Sequence, residues 1–273
     1  MQFLSDYFNK ITVGETENYK VGIPFHEVMA DGIYRGMSNG CMVARKRLLS
    51  YEDGEFPLAD AGNEGFKLLV PKIPFRYWEM VWNFYRDVNE EYGAEAAVLF
   101  YWNHRGFDLE KEIPVELRNE YGKGLLIDGD LIIYVPKQRN SKALTEYHGD
   151  KMRIWLGQHT ANYLDTHSHN TMSAFFSGTD DANERLFQFY SVFGRIGIEN
   201  TCIMRYRFQD SWENIDVFDV FEEGGVPQGN ENLGVGYPIT WWDNVEFPNN
   251  LVTTRETNKT IKEEGENHDS STG

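Results

Sequence analysis

Between residues 74 and 91 apolar side chains recur at helical spacing: Trp78, Val81, Trp82, Tyr85 and Val88 fall at i, i+3, i+4, i+7 and i+10, one face of a 3.6-residue period. Pro74 suits a first helical turn and Gly93 a stop, so this segment is predicted to be an amphipathic helix. The pattern then becomes a continuous run from Ala96 to Trp102, preceded by Glu95; its length suits a strand buried on both faces, with a lone carboxylate at its start. Gly124 to Asp128 and Asp130 to Val135 predict two short strands across Asp128-Gly129, the second closed by Pro136. Residues 137 to 162 show no dominant period. Tyr163 to Ser168 reads as extended. Leu186, Phe189, Tyr190 and Phe193 form one stripe that predicts a helix over 182 to 194, with Asp181 and Glu184 as its capping pair and Gly194 and Gly197 beyond it. Thr201 to Phe208 reads as another strand, and the Gly/Pro/Asn-rich stretch 224 to 238 as loop.

Upstream, Ser38-Asn39-Gly40 between Gly32 to Met37 and Cys41 to Lys46 is a hairpin signal, which makes the first seventy residues a small β region. Thr253 to Gly273 has almost no apolar content and reads as a disordered tail. The predicted organisation is therefore a β-rich region at 1–71, a principal domain at 72–208, a C-terminal extension at 209–252 and the tail at 253–273.

Composition narrows the class. The chain has 273 residues, of which 41% are apolar and 15% aromatic, enough to build a buried core and the reverse of a disordered composition. Lys plus Arg number 26 against 43 Asp plus Glu, a formal charge of −17, which opposes a phosphate backbone, so no nucleic-acid partner is expected. The apolar runs are strand-sized rather than membrane-spanning, and the N-terminus lacks a basic-then-apolar leader pattern, so the reading is a cytoplasmic protein with no membrane partner. Only Cys41 and Cys202 are present, too few for a disulfide framework or a four-thiolate metal site. Any metal must be held by His and carboxylates.

Such a set exists in one segment, Asp165-Thr166-His167-Ser168-His169, followed by Ser177-Gly178-Thr179-Asp180. Two His two apart on an extended segment face the same way, so both imidazoles can converge on one ion, and Asp180 can supply a third ligand from the loop that returns past them. Three protein ligands leave a position for water, the open arrangement of a catalytic zinc. A positioned carboxylate is then needed to move protons, and Glu95, at the head of an apolar strand, is the candidate, with Glu90 and Glu91 as substitutes. Ser177 stands close enough in sequence to Asp180 to donate a hydrogen bond to an oxyanion. Four fixed residues at these spacings arise by accident about 0.002 times in a chain of this size.

The pattern of an upstream Glu followed by His-x-His, seven residues and Ser-x-x-Asp resembles the JAMM motif of the JAB/MPN metalloproteases. The run His-Ser-His-Asn-x-Met-x-Ala-Phe-Phe-Ser with Asp180-Asp181 after it is most similar to JAB-domain proteins of bacteria, plasmids and phages. The resemblance covers residues 72 to 208. It implies an α/β (α+β, cytidine-deaminase-like) fold in which a curved mixed β-sheet is flanked by helices, here with an N-terminal β-rich extension. It implies one zinc ion per chain on His167, His169 and Asp180, Glu95 as general acid/base, and Ser177 supporting the tetrahedral intermediate. It also implies deubiquitinase-like hydrolysis of a peptide or isopeptide bond, with a protein or peptide substrate such as a ubiquitin-like or sulfur-carrier tail. Asn170 departs from the Pro that follows the second His in eukaryotic deubiquitinating members, and 72 positions separate Glu95 from His167, so the Glu assignment depends on strand order.

The contrasting reading is a non-catalytic JAB-fold binding or assembly module in a phage or plasmid system, motivated by the two flanking regions. His104, His148 and His159 read as surface residues rather than ligands, and His26 and His268 belong to the flanks. Trp241-Trp242 offers either a peptide platform or core cover. Glu222-Glu223-Gly224-Gly225 reads as an ordinary turn. Oligomeric state and the identity of the scissile bond leave no mark in the sequence.

Overall fold

A computed structural model describes residues 11–13, 19–51, 62–142, 144–147, 149–225, 229 and 234–247. The chain divides into two compact units, Met1–Lys72 with Phe208–Asp210, and Ile73–Arg207 with Ser211–Gly273. It is a mixed α and β protein whose described residues form three sheets and few helices. The reading of 253 to 273 as a disordered tail falls outside the described residues.

The first unit is a five-stranded sheet in chain order: β1 (Ile11–Val13), β2 (Phe25–Met29), β3 (Gly32–Ser38), β4 (Met42–Ser50) and β5 (Gly65–Leu68). The predicted hairpin joins β3 to β4. Gly40 sits at φ 96, where only glycine is unstrained, and Asn39 Oδ1 accepts from the backbone N–H groups of Cys41 and Met42. Alternating burial along β2 and β3 leaves Glu27 on the covered side, where Arg45 Nε meets it at 2.7 Å.

The second unit opens with α1 (Phe75–Tyr92), which starts after Pro74 and ends at Gly93 in the left-handed conformation, φ 57, as the periodicity predicts. It buries Trp78, Trp82, Phe84 and Tyr85 completely, aromatic burial worth about 1.5–3 kcal/mol for each side chain. Then follow β6 (Ala97–Trp102), α2 (Leu109–Glu112), α3 (Val115–Tyr121), β7 (Leu125–Asp128), β8 (Leu131–Tyr134), β9 (Gln138–Asn140), β10 (Thr145–Glu146), α4 (Lys151–His159), β11 (Ala161–Ser168), α5 (Gly178–Asn183), β12 (Phe189–Gly194), β13 (Thr201–Phe208), β14 (Ser211–Ile215) and β15 (Val245–Glu246). Seven of the strands form one mixed sheet, ordered β14-β13-β12-β11-β6-β8-β7, and β10-β9-β15 form a small second sheet. Residues 211 to 247, read above as an extension, contribute β14 and β15 to these sheets. Trp241 is buried edge-on against Phe84 at 5.3 Å, so it covers core rather than offering a platform.

One sequence expectation is overturned. Residues 182 to 194 are not a helix. The helix that exists, α5, is short and ends at Asn183, and Phe189–Gly194 is a strand whose six residues are all buried. A strand covered on both faces has no alternation, and its unbroken apolar run mimics a helical stripe. Leu186, assigned to that stripe, is 48% exposed. The cap also moves, from Asp181 and Glu184 to Ser177 and Asp180.

The large sheet has two unlike faces. On one, α1 packs: Trp78 and Tyr85 each lie 5.4 Å from Phe193, and Tyr85 Oη donates to the Thr166 carbonyl at 2.9 Å. On the other, Leu99, Tyr101, Ile132 and Tyr134 form a cluster with Met152 and Leu156 of α4 and residues of α2 and α3. Residues 165 and 167 of β11 belong to this second face, since Asp165 pairs with Leu99 and His167 with Ala97.

Candidate metal centre

β11 runs antiparallel to β6 and parallel to β12. The last ladder pair with β6 is His167 with Ala97, and the zip continues through Ser168 N–H to the Ala96 carbonyl and Ala96 N–H to Ser168 Oγ, both 2.9 Å. One step further, this register sets Glu95 across from His169, on the face that also carries His167. The 72 positions between Glu95 and His167 are thus closed by strand pairing. Gln138 secures β6 from its other side, donating to the Ala97 carbonyl at 3.0 Å and accepting its N–H at 2.8 Å. Glu90 and Glu91, the substitutes, lie in the last turn of α1 and do not line the site.

After His169 the chain turns sharply. Asn170 adopts φ 49, and its side-chain amide donates to the Lys142 carbonyl at 3.0 Å. Proline, fixed near −65°, cannot take that conformation, which gives the Asn at this position a physical cause. The chain then approaches the end of β12 so closely that a Cβ on Gly194 would stand 2.2 Å from the Ala174 backbone nitrogen. It returns as α5, whose N-cap is Ser177: Ser177 Oγ accepts the Asp180 N–H at 3.2 Å, and Asp180 Oδ2 accepts the Ser177 N–H at 2.6 Å. This capping box fixes the Asp180 carboxylate through one oxygen and leaves the other toward the histidines. The Ser177 hydroxyl keeps its own proton to donate.

His167 Nε2 lies 3.2 Å from His169 Nε2 and 3.5 Å from Asp180 Oδ1, and all three ligand atoms fall within 4.8 Å of one another. Tetrahedral ligation at about 2.0–2.1 Å sets donors about 3.3–3.4 Å apart, so the triad fits a zinc-sized ion. Among the described residues it is the one such group of His, Cys, Asp and Glu. Burial pulls His167 down to about 4, with the charges of His169 and Arg205 adding and Asp180 opposing, and burial likewise lowers His169. Both rings are therefore neutral ligands at neutral pH.

The triad opens into a cavity of about 570 Å³ lined by residues between Glu95 and Tyr190. Met172, Phe175 and Leu144 supply apolar wall, and Ser177 and Glu95 are both in the lining. Glu95 is 4% exposed. Burial first, then the Asp180 charge, push its carboxyl up to about 8, a value suited to proton transfer near neutrality.

Several residues that sequence reading passed over complete the site. Arg205 on β13 pairs with Tyr190 in the ladder and so shares the site face. Its Nε donates to Glu184 Oε2 at 2.8 Å, its Nη2 lies 2.8 Å from Asp181 Oδ1, and its guanidinium sits 3.7 Å over the Phe176 ring. It grips both ends of the segment that presents Asp180. Burial pushes Glu184 up to about 7 against the pull of Arg205. Asp165, pushed up to about 6 by burial, accepts from Tyr147 Oη at 3.1 Å on both oxygens. Arg205 and Arg207 alternating with Met204, Tyr206 and Phe208 in the strand Thr201 to Phe208 were the available signal for this anchor. The other described histidines lie elsewhere: His159 stacks on Trp155 at 4.2 Å, and His26 and His104 are half-buried outside the cavity. His148 falls outside the described residues.

No protein-family model matches the chain, and no curated protein matches it. Among the described residues no helix is long and apolar enough to cross a membrane.

Proposed function

We propose that the protein is a zinc-dependent hydrolase of peptide or isopeptide bonds, of the JAB/MPN type. The observation that carries the reading is the convergence of the His167, His169 and Asp180 ligand atoms with Glu95 and Ser177 around one open cavity. The mixed sheet, with a long helix leading into the strand that Glu95 precedes, agrees with that family's architecture. His167, His169 and Asp180 hold the metal, one per chain, and bound zinc supplies Lewis-acid polarisation of a carbonyl and of water.

Within that frame the chain's own groups divide the work. Glu95, buried beside the triad, takes a proton from the attacking water and delivers it to the leaving amine. The Ser177 hydroxyl, its oxygen fixed by the Asp180 N–H, donates to the oxygen that gains charge. Met172 and Phe175 shield the site from bulk water. A cavity of this volume, lined on every side by residues of the second unit, suits an extended peptide tail such as that of a ubiquitin-like or sulfur-carrier protein. Its openness favours hydrolysis over a binding module in which the metal is only structural, because a structural zinc has no open position.

The test is zinc content by elemental analysis together with peptidase and isopeptidase assays. Wild type is expected to carry about one zinc per chain. His167→Ala should lose both metal and turnover, and Glu95→Gln should keep metal and lose turnover. An active Glu95→Gln enzyme refutes the base assignment, and metal-free wild type refutes the centre.

A further inference from the structure

Past the triad, the cavity meets a second one of about 220 Å³. Arg153, Asp165, Leu186 and Gln188 line both, so the two spaces share a wall. Arg153 belongs to α4, where its backbone N–H donates to Asp150 Oδ1 at 2.7 Å. Its guanidinium carbon stands 5.3 Å from the centre of the Tyr147 ring. Among the described residues no carboxylate comes within ion-pair distance of this guanidinium, and no hydrogen bond holds it. The unit's buried arginine, Arg205, is by contrast paired with both Glu184 and Asp181. Arg153 therefore presents up to five N–H donors in a fixed fork to the space between the two cavities.

Position gives the fork a meaning. Asp165, on the shared wall, precedes His167 by two residues on one face of β11, a displacement of roughly 7 Å along the strand. An extended peptide advances by about the same amount in two residues. We infer that Arg153 and the smaller cavity form a carboxylate-binding subsite, which selects substrates bearing an acid group about two residues from the bond set at the triad. The inference rests on reading the triad's cavity as the substrate cavity. Elsewhere that cavity is lined by carboxyl groups, Glu95, Glu146, Asp180 and Glu184 among them, and among its lining residues Arg153 is the one Arg or Lys, which makes it the side chain that can receive an acid group. Asp165 attracts Arg153 electrostatically but makes no direct ion pair with it, its oxygens lying toward Tyr147 Oη, so the N–H donors of the fork remain open. The acid can be a side chain or the terminal carboxylate of a short chain; the chemistry of recognition is the same.

Three probes separate these sources: acetyl-Ala-Ala-Glu-Ala-amide, its Gln counterpart, and the Gln peptide ending in a free carboxylate. Binding to the zinc-loaded full chain is measured calorimetrically in wild type, Arg153→Gln and Arg153→Lys. At least one acid-bearing peptide should bind wild type about tenfold tighter than the neutral one, and which one does so identifies the source. Arg153→Gln should abolish the difference at unchanged zinc content and Tm, and Arg153→Lys should keep part of it. Equal binding of acid and neutral peptides to wild type, absence of binding by all three, or a preference that survives in Arg153→Gln overturns the subsite. Because the readout is binding, a protein that shows the preference yet hydrolyses nothing would retain the subsite and lose the hydrolase reading.

Discussion

Replacing Arg205 by Met should separate what holds the metal from what holds the ligands in place. The side chain is 7% exposed, and the Glu184 side chain beneath it is 8% exposed. Deleting the cation leaves Glu184 buried without a partner, a change that costs about 3–5 kcal/mol when the remaining charge cannot be neutralised. Here it can be, since burial already pushes the Glu184 carboxyl up to about 7; it takes up a proton, and the expected loss falls to roughly 2–3 kcal/mol. The loss of the Arg205 bond to Asp181 and of the contact with Phe176 adds a second effect. The segment 176 to 184 is then held at its start by the Ser177 cap alone, and Asp180 is presented less firmly. Outer-sphere partners of this kind are worth about 10–100-fold in metal affinity, or about 1.4–2.7 kcal/mol.

The assay pairs thermal unfolding with zinc titration against a competing chelator at pH 7.5. Arg205→Met should lower Tm and weaken zinc together. Arg205→Met combined with Glu184→Gln removes the orphaned carboxyl, so it should recover most of the stability while zinc stays weak. Wild-type zinc affinity in Arg205→Met would refute the reasoning, because it would mean that the capping box alone sets Asp180.

Ser177→Ala removes the acceptor for the Asp180 N–H and should cost about 1 kcal/mol by thermal unfolding, together with a several-fold loss of zinc; unchanged zinc affinity would show that the cap does not position the carboxylate. Asn170→Gly, which reaches φ 49 but gives up the bond to the Lys142 carbonyl, should lose about 1 kcal/mol, whereas Asn170→Pro, which cannot reach φ 49, should lose several kcal/mol or fail to accumulate as soluble protein; equal stability of the two would refute the turn's role. In chelator-treated protein, Glu95 holds a proton up to about pH 8, while the unfolded chain releases it near 4.5, so stability falls as pH rises through that window. Glu95→Gln removes the dependence, and its advantage over wild type should be near zero at pH 4.5 and reach roughly 2–4 kcal/mol by pH 8.5; a difference constant across that range would refute the burial argument.

What sequence reading captured was local. The His-x-His pair is visible because strand side chains repeat every two residues, and α1 is visible because its buried stripe keeps a 3.6-residue period from Trp78 to Val88, about three turns. The Ser-x-x-Asp spacing is visible too, although its reciprocal cap is not. Strand order was beyond reach: Glu95 meets His169 only because β6 and β11 are neighbours, a pairing between segments separated by α2, α3, β7 to β10 and α4. Phe189 to Gly194 was misread because full burial erases alternation, and Arg205 was passed over because an inward arginine has meaning only once Glu184 and Asp181 lie beneath it.

The His167, His169 and Asp180 side chains meet because of one feature of the topology. β11 and β12 are parallel, so the chain leaving Ser168 must travel back along the sheet before it enters Phe189. One face is closed to it, since α1 packs there on Phe193 and Thr166. The crossover therefore lies on the face that carries His167 and, beyond the strand, His169, and midway along it Ser177 halts the chain in a helical turn that directs Asp180 inward. Arg205, two strands away on the same face, holds the far end of that turn. β6, antiparallel on the other side of β11, brings its leading residue to the place where the histidines end. The parallel pair thus brings the Asp180 carboxylate to the histidines and the antiparallel pair brings Glu95, from opposite flanks of one strand.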